Sequence, residues 1–171
     1  RGGASTVAWV GVALVLGVLA LGVLGVALAV LKVWSYLDQR GDLAVGKEWR
    51  VSSSYGVGGC APPEQECGQV GGGYFFHTAV DDSSPWVEFD LGSEMPVARV
   101  DVKNRTDCCF ERAVPLGIEL SRNRQAWQTV ARRDEVFTSW RASFEPVKAR
   151  YVRLRLMGTG TLHLSRVGIF R

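Results

Sequence analysis

An all-β sandwich preceded by one membrane-spanning helix is what the sequence predicts, and three observations predict it. No residue from Gly2 to Leu31 is charged, whereas all 17 acidic residues lie at or beyond Asp38. Past Gly46 the apolar residues recur at every second position in short segments. Gly, Pro, Asn and Asp separate those segments, and no stretch there keeps a helical period. The 171 residues leave room for one domain of ordinary size plus an anchor.

The anchor comes first. Val7 to Leu31 is an apolar run of 25 residues. As a helix it is roughly 37 Å long, enough to cross a hydrocarbon layer of about 30 Å with some tilt. Trp9 near one end, and Trp34 with Tyr36 past the other, stand where interfacial aromatics are expected. A cleavable signal peptide has a shorter apolar region, about 7 to 15 residues, and a small-residue cleavage site. Here the longer run leads into Lys32-Val33-Trp34. The expected organisation is a flank over 1–6, a transmembrane helix over 7–33, a juxtamembrane segment over 34–44 and a β domain over 45–171.

The lipid bilayer is therefore the first expected partner. Gly11, Gly17, Gly22, Gly25 and Ala29 let another helix approach closely, and Gly25-x-x-x-Ala29 has the small-x-x-x-small spacing, so membrane-protein partners are also expected. Orientation is contested by two signals. Lys32, Arg40, Lys47 and Arg50 follow the span while only Arg1 precedes it, which by itself places the domain inside. The four cysteines fit an oxidising compartment, which places it outside. The extracytoplasmic side is favoured.

The strands follow in order. Val87, Phe89 and Leu91 alternate with Glu88 and Asp90, and Ala98, Val100 and Val102 alternate with Arg99, Asp101 and Lys103. Leu116, Ile118 and Leu120 come next, and later Val152, Leu154 and Leu156 alternate with Tyr151, Arg153 and Arg155. This is the pattern of antiparallel strands with one buried face. Pro85, Pro96, Pro115 and Pro146 are expected at strand ends. Between Gly56 and Gly73 a glycine-rich stretch holding Cys60-Ala-Pro-Pro-Glu-Gln-Glu-Cys67 reads as a long surface loop, which a Cys60 to Cys67 bridge would staple.

Several function classes drop out. With Arg1 and Lys32 set aside, 18 basic residues face 17 acidic ones, so there is no basic field for nucleic acid. No Gly-x-Ser-x-Gly turn or phosphate-binding loop occurs, and Asp81-Asp82 and Asp134-Glu135 lie in charged, loop-like contexts, so no enzyme chemistry is expected. Zinc is disfavoured because neither Cys-x-x-Cys nor a His pair at ligand spacing is present. The two histidines are His77 and His163, the latter reading as an outward residue of a strand at Leu162-His163-Leu164. Cys60, Cys67, Cys108 and Cys109 allow three pairings, or buried thiols.

Gly46-Lys47-Glu48-Trp49 before Ser52-Ser53-Ser54, Pro85-Trp86-Val87-Glu88-Phe89-Asp90-Leu91-Gly92, Ala149-Arg150-Tyr151-Val152-Arg153-Leu154 and Leu164-Ser165-Arg166-Val167-Gly168-Ile169 together resemble the discoidin, or coagulation-factor C-type, domain. The resemblance runs from about Val45 to Arg171. It implies a jelly-roll, galactose-binding-like β-sandwich with its ligand in loops at one end. Arg105-Thr106-Asp107-Cys108-Cys109-Phe110-Glu111-Arg112 is similar to the Arg-x-Asp-Cys-Cys-x-x-Arg signature of the fucose-binding lectins, and His77 sits about where they carry a sugar-contacting histidine.

By that resemblance His77, Arg105 and Arg112 are the polar ligand contacts, and Cys108 with Cys109 is a vicinal disulfide. The residue types suit the task. An arginine fork presents rigid donors to adjacent sugar oxygens, histidine adds one more, and Asp107 holds an arginine in place. A vicinal disulfide is a small apolar surface for the carbon edge of a sugar. The bland alternative makes Arg105 with Asp107 an ordinary ion pair and His77 a packed loop residue. No cofactor is expected, since Cys60 to Gly73 has only Glu64 and Glu66 as acids and lacks the lectins' calcium-holding pattern. The expected function is a membrane-anchored binding module for a carbohydrate or cell-surface ligand. The alternative is a structural or protein-interaction domain of a membrane assembly.

Overall fold

The computed structural model describes residues 21–30, 32–33, 41–55 and 74–171, and the chain divides after Arg40 into two compact units. In the first unit, residues 21–30 and 32–33 are helical and exposed. No helix among the described residues is long and apolar enough to cross a membrane. Residues 7–20 and 31 of the predicted span, and 34–40 beyond it, lie outside the described residues, as do Cys60 and Cys67.

The described residues of the second unit form seven strands: β1 (Glu48–Val51), β2 (Phe76–His77), β3 (Trp86–Asn104), β4 (Leu116–Ser121), β5 (Gln128–Arg133), β6 (Ser139–Leu156) and β7 (His163–Phe170). A 3-10 turn, Phe110–Ala113, lies between β3 and β4. All the pairings are antiparallel, and they fall into two layers. In one layer β1 pairs with the first half of β3, which pairs with the second half of β6, then β4, then β5. In the other, β2 pairs with β7, which pairs with the second half of β3, and that half pairs with the first half of β6. The unit begins ahead of Val45: Leu43 N–H donates to the Ile169 carbonyl at 2.6 Å, and Ile169 N–H donates to Asp42 Oδ1 at 2.9 Å.

β3 and β6 are long because each runs through both layers. Their pairing shifts register between Asp90 and Met95 and again between Val97 and Arg99, with Gly92 at φ 85° in the bend. Two expectations are corrected there. Pro96 and Pro146 lie inside β3 and β6, not at strand ends. A strand tolerates a residue without an N–H beside a bulge, where ladder bonds are already missing. The same irregularity moves the core face: Val97 is fully buried and Ala98 is not, because the register breaks interrupt the period of two.

Val87, Phe89, Leu91, Leu116, Leu154 and Ile169 belong to one continuous core between the layers. The first layer is covered on its outer face too, so every residue of β4 is buried and Glu88 is 2% exposed. Glu88 Oε1 accepts from Arg50 Nη2 at 3.1 Å and Arg124 Nε at 2.8 Å, and Oε2 accepts from Arg153 Nη2 at 2.9 Å. The Arg153 guanidinium lies 3.7 Å from the Trp127 ring centroid and 4.9 Å from that of Trp86. The alternation of β3 left Glu88 facing water; aromatic rings and arginine stems close over it instead.

Candidate functional site

The two-residue strand β2 forms the edge of the second layer, paired with the start of β7. Phe76 opposite Leu164 points into the core, both fully buried. By the two-residue period His77 and His163, directly opposite each other, share the other face. Their ring centroids are 5.4 Å apart. Tyr74 packs over both, 5.4 Å from His77 and 6.3 Å from His163, while Tyr55 lies 4.9 Å from His77. Tyr55 N–H also donates to the His77 carbonyl at 3.1 Å.

His163 therefore departs from the sequence expectation. It faces away from the core, as alternation requires, but it is fully buried under the tyrosine and His77, and neither ring nitrogen has a side-chain hydrogen-bond partner among the described residues. Tyr55 and Tyr74 were not singled out from the sequence either. What brings them to His77 is the β2–β7 register and the backbone bond at Tyr55, neither of which leaves a local pattern.

The segment after β3 supplies the rest. Asn104 ends the strand fully buried, donating from Nδ2 to the Phe110 carbonyl at 2.8 Å and the Phe137 carbonyl at 3.1 Å, while its Oδ1 accepts from Arg105 N–H at 2.9 Å. One side chain thus ties the site segment to the strand end and to the turn beyond. Arg105 is 8% exposed. Its Nε donates to Asp107 Oδ1 at 2.7 Å and its Nη2 to Asp107 Oδ2 at 2.5 Å, and its guanidinium carbon lies 4.7 Å from the Tyr74 ring centroid. This two-point fork fixes the guanidinium plane.

Cys108 and Cys109 are joined as a vicinal disulfide, one of the possibilities the sequence left open. Cys109 adopts φ 59°, in the left-handed region, and starts the turn Phe110–Ala113. Arg112 N–H donates to the Cys109 carbonyl at 3.1 Å, which closes the turn. The Arg112 side chain is exposed and has no carboxylate partner among the described residues.

Charge and polarity follow from these contacts. His77 Nδ1 is 2.7 Å from the Thr78 carbonyl, which only accepts, so Nδ1 carries the proton and Nε2 is left as an acceptor. Burial lowers the His77 pKa, the Thr78 bond opposes this, and the charges of Arg105 and Arg112 add to the lowering. Burial, then Arg105, then His77 push His163 down to about 4. The Arg105 hydrogen bonds hold the Asp107 carboxyl far below the usual carboxylate range. The site thus presents a neutral histidine acceptor beside two arginines, one neutralised by Asp107 and one not. No cluster of three His, Cys, Asp or Glu able to hold a metal occurs among the described residues.

The structure thus brings together His77, Arg105 and Asp107, and sets the bonded Cys108 and Cys109 and then Arg112 on the segment that follows. Comparison with known proteins places the chain. The model of NedA-like galactose-binding domains matches residues 68–154, a little over half of the chain. Fucolectin-6 of Anguilla japonica is 30% identical over 105 residues, and the match spans 56% of this chain and 56% of that protein. A solved fucose-binding module of Streptococcus pneumoniae is 27% identical over 76% of this chain and 94% of its own, with a TM-score of 0.61. An f-lectin, or fucolectin, from the serum of the striped bass Morone saxatilis is 25% identical over 76% of this chain and 48% of its own, with a TM-score of 0.64. The two-layer sandwich is the galactose-binding-like jelly roll of these proteins. The chain belongs to the NedA-like galactose-binding domain family, that is, to the discoidin or coagulation-factor type C domains.

Proposed function

We propose that this protein is a membrane-anchored, non-enzymatic lectin module that binds a neutral glycan, with fucose as the first candidate sugar, through His77, Arg105 and Arg112. One observation carries the reading: the polarity of His77 beside the two arginines. Because Nδ1 is committed to the Thr78 carbonyl, Nε2 accepts, while the guanidinium groups only donate. A sugar hydroxyl is both donor and acceptor, so a single hydroxyl satisfies the histidine and an arginine together. A bare carboxylate has no proton to give His77, and a cation is repelled by the arginines. The Tyr55 ring and the disulfide supply apolar surface for the carbon edges of the same sugar. The fucose-binding function of the pneumococcal module and the names of the fish relatives support the choice of sugar. The charge-free run from Gly2 to Leu31 supports the anchor, and the vicinal disulfide supports an extracytoplasmic domain.

The test is calorimetry of the full chain in detergent against L-fucose, with Arg105→Ala, Arg112→Ala and His77→Ala alongside. Each arginine change removes a hydrogen bond from a charged group, about 1 to 3 kcal/mol, or roughly a tenfold to hundredfold loss of affinity. His77→Ala is expected to cost less. Equal affinity for parent and both arginine variants overturns the reading. No glycan binding by the parent, with Arg105→Ala lowering the melting temperature, favours a protein-interaction domain instead.

A further inference from the structure

Phe110 is a large aromatic residue left 42% exposed on the segment that carries the site, between the disulfide and Arg112. Its ring has no aromatic or cationic partner among the described residues. Its backbone, in contrast, is held on all sides. The Phe110 carbonyl accepts from buried Asn104 at 2.8 Å, the preceding residue is bonded into the disulfide, and Ala113 pins the far end of the turn in the core. Asn104 also holds the backbone of Arg105, so the ring is tied to the same anchor as the arginine of the site.

An exposed phenyl ring on a rigid turn is a poor accident and a good platform. Burying it on binding costs little conformational entropy, because the backbone is already ordered. The face of a pyranose ring carries C–H groups that lie well on an aromatic surface, as the quadrupole of the ring attracts their positive edges. Other exposed apolar residues such as Val80 and Val136 lie elsewhere in the chain and offer no flat face.

We infer that Phe110 is the stacking platform of a second subsite, which takes the sugar linked to the one bound at His77, Arg105 and Arg112, and so makes the protein prefer oligosaccharides over the free monosaccharide. This rests on the glycan-binding reading above and extends it to a neighbouring residue of the chain.

The experiment uses the full chain in detergent, with L-fucose and three fucosylated trisaccharides of different linkage as probes. Parent, Phe110→Ala, Phe110→Trp and the control Val136→Ala are compared by calorimetry and melting temperature. The expected result has three parts. Phe110→Ala binds L-fucose as the parent does. It loses about threefold to tenfold in affinity for at least one trisaccharide. Phe110→Trp keeps that affinity, and Val136→Ala changes nothing. If the parent binds every probe and Phe110→Ala weakens none of the trisaccharides, the platform is wrong while the glycan site stands. If Phe110→Ala weakens monosaccharide and trisaccharides alike, the residue shapes the first subsite and the proposal falls. If the parent binds no probe, the glycan-binding reading itself has failed and the platform falls with it.

Discussion

His77 and His163 show how one pair of residues sets the behaviour of the site with pH. Both are held neutral, chiefly by burial and by the charge of Arg105. For binding, neutrality of His77 keeps Nε2 an acceptor; a proton there turns it into a donor and adds charge beside two arginines. Affinity for L-fucose is therefore expected to fall on acidification, and to do so at lower pH than an imidazole of ordinary pKa would give, since burial holds the His77 pKa down. For stability, the unfolded chain takes up its proton near the ordinary 6.5 and the folded chain only near 4, so the contribution of neutral His163 is complete above 6.5 and is lost as the pH falls towards 4. The full loss is about 3 kcal/mol. His163→Leu removes the titrating group and keeps an apolar side chain at this buried position. It is expected to flatten that part of the curve of melting temperature against pH. Parallel curves for parent and variant would show that His163 is free to ionise in the folded chain.

Across the first layer, the strands carry charge in register. Arg50 on β1 faces Glu88 on β3, Glu88 faces Arg153 on β6, and Arg153 faces Glu119 on β4, so signs alternate across four strands. Cross-strand neighbours of opposite sign stabilise, and like signs would not. Glu88 is the centre of the row. Burial alone would raise its carboxyl, but hydrogen bonds from Arg153, Arg124 and Arg50 outweigh that and hold it below the usual carboxylate range. Glu88→Gln keeps the shape and removes the charge. It leaves Arg153 between two tryptophans without its hydrogen-bonded carboxylate, and the expected loss is about 3 kcal/mol by denaturant titration. Sugar affinity should not change, because Glu88 lies in the layer opposite to β2 and β7. A loss below about 1 kcal/mol, the range of exposed pairs, would mean that the arginines simply turn to water.

The protein as a whole pairs an apolar N-terminal run with a sandwich whose site segment is closed by a disulfide. The proposed topology joins the two features, with the run as the anchor and the oxidised pair in an oxidising compartment. Protease added to intact cells is expected to remove the sandwich, and the chain is expected to stay with the membrane fraction until detergent is added. Non-reducing mass spectrometry should return Cys108 and Cys109 as a bonded pair. Protection from protease, with free thiols at both positions, would reverse the orientation.

Legibility in the sequence divides along the range of the interaction. The period of two in Val87 to Leu91 and in Val152 to Leu156 was enough for strands and a sandwich, because a strand with one apolar face must bury it. Arg105 with Asp107 was equally legible, because two residues of spacing bring the side chains within reach without help from the rest of the chain. Three features were decided only by the tertiary structure. Breaks in the β3–β6 register exchanged Ala98 for Val97 in the core, and aromatic rings and arginine stems closed over Glu88. The antiparallel register of β2 with β7 set His163 beneath His77 and buried it. The physical reason is the same in each case. A residue's own period chooses the side of the strand it faces, but what lies on that side depends on register and on distant segments, which no local pattern records.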